Sequence, residues 1–96
     1  MPKGYWIVHV SVNDAENYPK YMQATRPAME KYGGNFVIRG GQSQLREGQS
    51  RDRHVVVEFE SYQRAVECYE SDDYAPALAL RNAYADTDLI IVEGAE

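Results

Sequence analysis

Tyr5-Trp6-Ile7-Val8-His9-Val10-Ser11-Val12 is dominated by β-branched and aromatic residues, which marks it as a strand. The strand opens a pattern that then repeats. Asn13-Asp14 supplies an N-cap signal, and Tyr18, Met22, Thr25, Met29 and Tyr32 follow at helical spacing. Pro27 lies inside that run, so a kink or restart is expected between Thr25 and Pro27. Gly33-Gly34 ends the helix. Residues 36–39 read as a second strand closed by Gly40-Gly41, and the polar, turn-rich stretch to Asp52 reads as a hairpin connection. Residues 54–59 carry Val55, Val56 and Val57 and form the third strand. Ser61 caps a second helix with Ala65, Val66 and Tyr69 on its apolar stripe. Ser71-Asp72-Asp73 predicts a break, with the helix resuming over residues 73–84 and placing Tyr74, Leu78 and Arg81 on one face. Residues 89–93 are the last strand.

The order β-α-β, β-α-β with a hairpin between the middle strands predicts an α+β fold of ferredoxin-like type. Its four-stranded antiparallel sheet has the order 4-1-3-2, and both helical segments lie on one face. Alternation sorts the strand residues. One set, to lie under the helices, is Trp6, Val8, Val10, Val12, Phe36, Ile38, Val55, Val57, Phe59, Ile90 and Val92. The other is Tyr5, Ile7, His9, Ser11, Val37, Arg39, His54, Val56, Glu58, Leu89, Ile91 and Glu93. The second set is too apolar to face water. No third helical segment is left to cover it, so the expected partner is the same face of a second copy, a homodimer.

Composition sets the outer bounds. A chain of 96 residues makes one domain, and 44% hydrophobic residues suffice for a core. A net charge of −5 with scattered basic residues argues against nucleic acid and anionic membrane as partners. No apolar run approaches a bilayer-spanning length and no signal-like stretch opens the chain, so a cytoplasmic location is the expectation. Cys68 is the single cysteine and reads as core or groove lining rather than as a nucleophile.

Taken together, Tyr5-Trp6-Ile7, Tyr18, Tyr21, Pro27, Lys31-Tyr32-Gly33-Gly34, Arg39-Gly40-Gly41, Glu58-Phe59 with Ser61, Tyr69, Ser71 through Tyr74, and Arg81 resemble the domain-of-unknown-function family 1330 over nearly the whole chain. Glu60 departs from the proline expected there. The resemblance implies the dimeric α/β-barrel superfamily, whose ferredoxin-like subunits pack sheet to sheet. Relatives there include cofactor-free monooxygenases, haem-degrading enzymes, lactone isomerases and ligand-binding stress proteins, so the fold does not select an activity.

The sharpest polar constellation expected from the alternation is His9, Glu58 and Arg39 on one sheet face. As a site, Arg39 holds an anionic oxygen, Glu58 orients His9, and His9 moves a proton on an enolisable substrate without a cofactor. As structure, the three satisfy one another by salt bridging. Tyr74 and Arg81, two helical turns apart, are candidates with Tyr21 for the rim of a pocket between sheet and helices or at the dimer seam, or else for anchoring the last helix. Gly40-Gly41 reads as a turn rather than a phosphate cradle. His9 and His54 sit on neighbouring strands without a third metal ligand in helix or loop spacing. The resulting expectation is a homodimer that accepts a small, anionic organic molecule, as an acid-base enzyme or as a non-catalytic binding or stress-associated module.

Overall fold

In the computed structural model, which describes residues 2–96, the alternation of the first strand is realised as β1, Gly4–Val12. There follow α1 (Tyr18–Ala24), α2 (Arg26–Tyr32), β2 (Asn35–Arg39), β3 (Arg53–Phe59), α3 (Tyr62–Glu70), α4 (Ala75–Tyr84) and β4 (Ala85–Glu93). The sheet is antiparallel throughout, with order β2-β3-β1-β4, the expected arrangement read from its other edge. All four helices cover one face, and the molecule is only 17 Å thick along its shortest axis. That thickness leaves room for one sheet and one helical layer.

Local chemistry explains the breaks. Thr25 separates α1 from α2, donating its Oγ1 hydrogen to the Met22 carbonyl at 2.7 Å, and Pro27 sits in the first turn of α2, where a missing N–H costs nothing. Gly33 closes α2 at φ 72°, a left-handed conformation that glycine adopts without strain. Ser61 caps α3 by accepting from the Arg64 N–H at 3.1 Å, and Ser71 accepts from the Tyr74 N–H at 3.2 Å before α4. Asp14 does not begin the first helix. Its carboxylate accepts from the Asn17 backbone at 3.2 Å and side chain at 2.8 Å, holding a turn that delays α1 to Tyr18.

Trp6 is the hub of the core. It is fully buried, its ring contacts those of Phe59, Tyr69 and Tyr74, and its Nε1–H donates to the Ala65 carbonyl of α3 at 2.9 Å. Val8, Val10, Val55, Val57 and Phe59 extend the layer along β1 and β3. The expected inward set is correct for these two strands.

Two strands depart from it. In β2, Phe36 pairs with Val57 but Ile38 pairs with Val56, so Val37 is an extra residue in a β-bulge. Beyond the bulge the faces exchange. Ile38 turns to the open face and is 48% exposed, whereas Arg39, opposite Val55, turns to the helix side. In β4, Leu89 pairs with Val8 and Ile91 with Trp6, so these two pack into the core and Ile90 and Val92 face outward. An unbroken Leu89-Ile90-Ile91-Val92 run has no period of its own, and β1 dictates its phase. β4 also begins earlier than expected. Asp86 and Asp88, poor strand formers, lie on its outer side while Ala85 to Asp88 pair with β1.

Truncating the hub tests this account. Trp6→Ala is expected to lose about 3–5 kcal/mol of stability, the usual cost of a buried aromatic deletion, measured as the shift in urea midpoint.

Candidate functional site

A slot opens between the helix face of the sheet and helices α1 and α2. Its floor is Trp6, Val8, Val10, Val55, Val57 and Phe36, its roof is Tyr18, Tyr21, Met22, Thr25 and Met29, and Arg39 and Arg53 complete it. The unfilled space, mouth included, is about 420 Å³. The methionines and the exposed Arg39 are the side chains most able to yield.

Two features place the arginines. The bulge in β2 brings Arg39 to this side, where its guanidinium lies 4.6 Å from the centre of the Phe36 ring. Arg53, at the start of β3, runs beneath Gly40, whose φ of 76° and lack of a side chain leave room for the guanidinium: a Cβ there would stand 2.7 Å from an Arg53 terminal nitrogen. Arg53 lies 5.8 Å from the Tyr18 ring centre, and its Nε is buried with no hydrogen-bond partner. Ion pairs among the described residues join Lys3 to Glu58, Lys31 to Asp73, Arg51 to Asp88 and Arg64 to Glu67. None of them engages Arg39, Arg53 or Arg81.

Behind the roof lies a buried polar chain. Arg81, 4% exposed, donates from a terminal nitrogen to the Tyr74 hydroxyl at 3.0 Å, and that hydroxyl is 2.9 Å from the Tyr21 hydroxyl. Burial pushes the Tyr74 phenol well above the ordinary tyrosine value, and proximity to Tyr21 adds to it. Burial works against the charge of Arg81, but Tyr74 and Tyr21 more than offset it, and its pKa moves up. Both groups therefore hold their protons across the physiological range. The structure thus brings Tyr21, Tyr74 and Arg81 together. Only Tyr21 reaches the slot, since Tyr74 is wholly buried and supports it from behind rather than standing on a rim.

The expected trio of His9, Glu58 and Arg39 is not assembled. Glu58 sits opposite Tyr5, accepts its phenolic hydrogen at 3.0 Å and stands 3.9 Å from Lys3, so the Tyr5 pKa is raised by that bond. His9 sits opposite His54, and their Nδ1 atoms are 2.8 Å apart, one donating and the other accepting. Arg39 lies on the other side of the sheet. Alternation alone assigned the three to one face, but the register sets Glu58 and His9 four residue pairs apart and the bulge removes Arg39. Conversely, Arg53 escaped the sequence reading. Its signal was available, because it is two residues before Val55 in the same strand and so shares that face.

The remaining candidates are quiet. Cys68 is fully buried, and burial pushes its thiol up to about 12, which makes it a core residue and not a nucleophile. Among the described residues no three His, Cys, Asp or Glu side chains gather as a metal site, and no helix is long and apolar enough to cross a membrane.

These features define a ferredoxin-like α+β protein with an arginine-bearing slot between sheet and helices. The chain belongs to the family described as domain of unknown function (DUF1330), whose model matches residues 3–95. No curated protein matches it. Among solved structures it is similar to the RPA0582 protein of unknown function from Rhodopseudomonas palustris, with 22% identity and a TM-score of 0.78 over 99% of this chain and 84% of that one. It is also similar to SnoaB, a cofactor-independent oxygenase from Streptomyces nogalater, with 13% identity and a TM-score of 0.66 over 100% and 96% of the two chains. A dimeric ferredoxin-like protein of unknown function from Thermobifida fusca matches with 18% identity and a TM-score of 0.55 over 96% and 91%. At these identities the likeness shows the fold.

The raised pKa values carry a pH signature. The protons of Tyr74 and Cys68 are held more tightly in the folded chain than in the unfolded one, so the stabilisation is complete below the unfolded values and is lost progressively as pH rises from them through the folded values. Urea midpoints are expected to be flat up to about pH 9 and to fall steadily above it, as followed by circular dichroism.

Proposed function

We propose that this protein is a homodimer whose subunits each bind a small, flat, anionic organic molecule in the slot between sheet and helices. The observation that carries the reading is the pair Arg39 and Arg53. Both reach the slot, neither has a carboxylate within 4.0 Å among the described residues, and the Arg53 Nε is buried without a hydrogen-bond partner among them. An unpaired, partly buried guanidinium is costly, and a carboxylate or enolate oxygen is the partner that its fork fits. Trp6, Tyr18, Tyr21 and Phe36 supply aromatic walls for a planar body.

The sheet's open face supports the dimer. Ile90 is 59% exposed, Ile38 48% and Val92 38%, with Ile7 and Val56 between them, a contiguous apolar surface that no described helix covers. A second copy is the economical occupant, and the Thermobifida fusca structure of the same fold is dimeric. Burying a few hundred Å² of apolar surface per partner is worth about 25 cal/mol per Å² before association costs. His9, His54, Asp88 and Glu58 then lie on or beside the subunit boundary.

Two chemistries suit the slot. Stabilising an enolate or phenolate by arginine and tyrosine donors is the one consistent with a fold shared with a cofactor-independent oxygenase. Among the described residues no Asp, Glu or His lines the slot, so a general base would have to be a tyrosine or the substrate itself. That absence favours the second reading, a binding module without turnover.

Sedimentation should give about twice the 10.9 kDa chain mass at micromolar concentration, and Ile90→Asp should shift it to a single chain. A stable wild-type monomer would end the dimer reading. In a thermal-shift screen, aromatic carboxylates should raise the melting temperature, and Arg39→Ala with Arg53→Ala should weaken the best binder at least about tenfold. Retained affinity in the double variant would overturn the assignment, and catalytic loss of a bound compound would decide between the two chemistries.

A further inference from the structure

We infer that the Tyr21 hydroxyl is a directed hydrogen-bond donor to an oxyanion of the bound molecule, and that Arg81, acting through Tyr74, fixes that direction. The inference rests on the slot as a binding site and names the chemistry of its ligand: a phenol or enol bound as its anion.

The direction follows from proton counting. A guanidinium can only donate, so the Tyr74 oxygen accepts from Arg81 at 3.0 Å. Tyr74 has one hydroxyl hydrogen, and the Tyr21 oxygen 2.9 Å away is its one hydrogen-bonding neighbour besides Arg81 among the described residues. Tyr74 therefore donates to Tyr21. The Tyr21 oxygen accepts, and its own hydrogen is left over. No other described group takes it, and Tyr21 is half-buried in the roof of the slot.

The chain thus runs Arg81 to Tyr74 to Tyr21 to whatever oxygen enters, with a positive charge at its sealed end. Donor chains anchored on a cation polarise each member in turn, so the last hydroxyl is a better donor to an anion than an isolated tyrosine. A tie between α1 and α4 would not by itself require a charge. Yet Arg81 keeps one at 4% exposure with no carboxylate partner among the described residues and an unsatisfied Nε. The guanidinium also lies 5.8 Å from the Tyr21 ring centre, where it adds to the field at that phenol. Tyr21 is the group that would touch the ligand, whereas Tyr74 and Arg81 are positioning residues.

The probe is 4-nitrophenol, whose anion is coloured, with benzoate as a control that has an anion but no ionisable phenol. Wild-type protein should bind the dye and lower its apparent pKa, seen as phenolate absorbance at a pH where the free dye is mostly neutral. Tyr21→Phe should cut the ratio of bound phenolate to bound phenol about tenfold, and Tyr74→Phe should do the same although Tyr21 is intact. Arg81→Lys, which keeps a charge, should recover part of the effect relative to Arg81→Met. If Tyr74→Phe fails to fold, Tyr21→Phe decides alone. Wild-type ionisation of the dye in Tyr21→Phe overturns the inference, as does a Tyr74→Phe protein that is less stable yet ionises the dye normally. Binding of benzoate but not of 4-nitrophenol overturns it while leaving the slot a binding site. Binding of neither removes the site and the inference together.

Discussion

The pairing of β1 with both of its neighbours is the constraint from which the rest follows. Side chains alternate strictly along a strand, so fixing Val8 opposite Val55 and Leu89 assigns every residue of three strands to a face at once. It places Trp6 beneath α3, where the Nε1–H meets the Ala65 carbonyl, and so fixes the height of the helical layer. A slip by one residue would turn the indole outward and empty the core.

The register irregularity among the described strands lies where the arginines gather. The bulge at Val37 reverses the faces of β2 after Phe36 and turns one guanidinium inward, while Gly40 leaves room for a second. Bulges next to binding sites re-aim side chains in this way. The outcome is a slot whose walls are apolar and aromatic but whose cations have no carboxylate within 4.0 Å among the described residues. Arg39 is exposed and remains solvated, whereas the Arg53 Nε is buried without a hydrogen-bond partner, a desolvation that costs stability.

The same economy applies to the helical layer. α1 packs on α4 through Tyr21, Tyr74 and Arg81, residues with more polar atoms than a contact between two short helices needs. The other face of the sheet shows the reverse: Ile38, Ile90 and Val92 are apolar where water would otherwise be met. One side of the molecule thus holds unmatched polarity and the other unmatched hydrophobicity.

Strand and helix order, the break at Thr25, the Ser61 and Ser71 caps, the buried alternation of β1 and β3 and the strand order were all legible in the sequence, because each depends on near neighbours or on a period that the residues display. The trio of tyrosines and arginine was legible in part, since the spacing of Tyr74 and Arg81 puts them on one helix face. The faces of β2 and β4 were not. A bulge is an insertion relative to a partner strand, and a continuous apolar run has no phase until a neighbour supplies one. By itself, then, the sequence determined the α+β architecture and the apolar character of the sheet face away from the helices. Only the tertiary structure decided that Arg39 belongs with Arg53 in the slot, and that His9 and Glu58 do not, because register is a property of two strands and is written in neither alone.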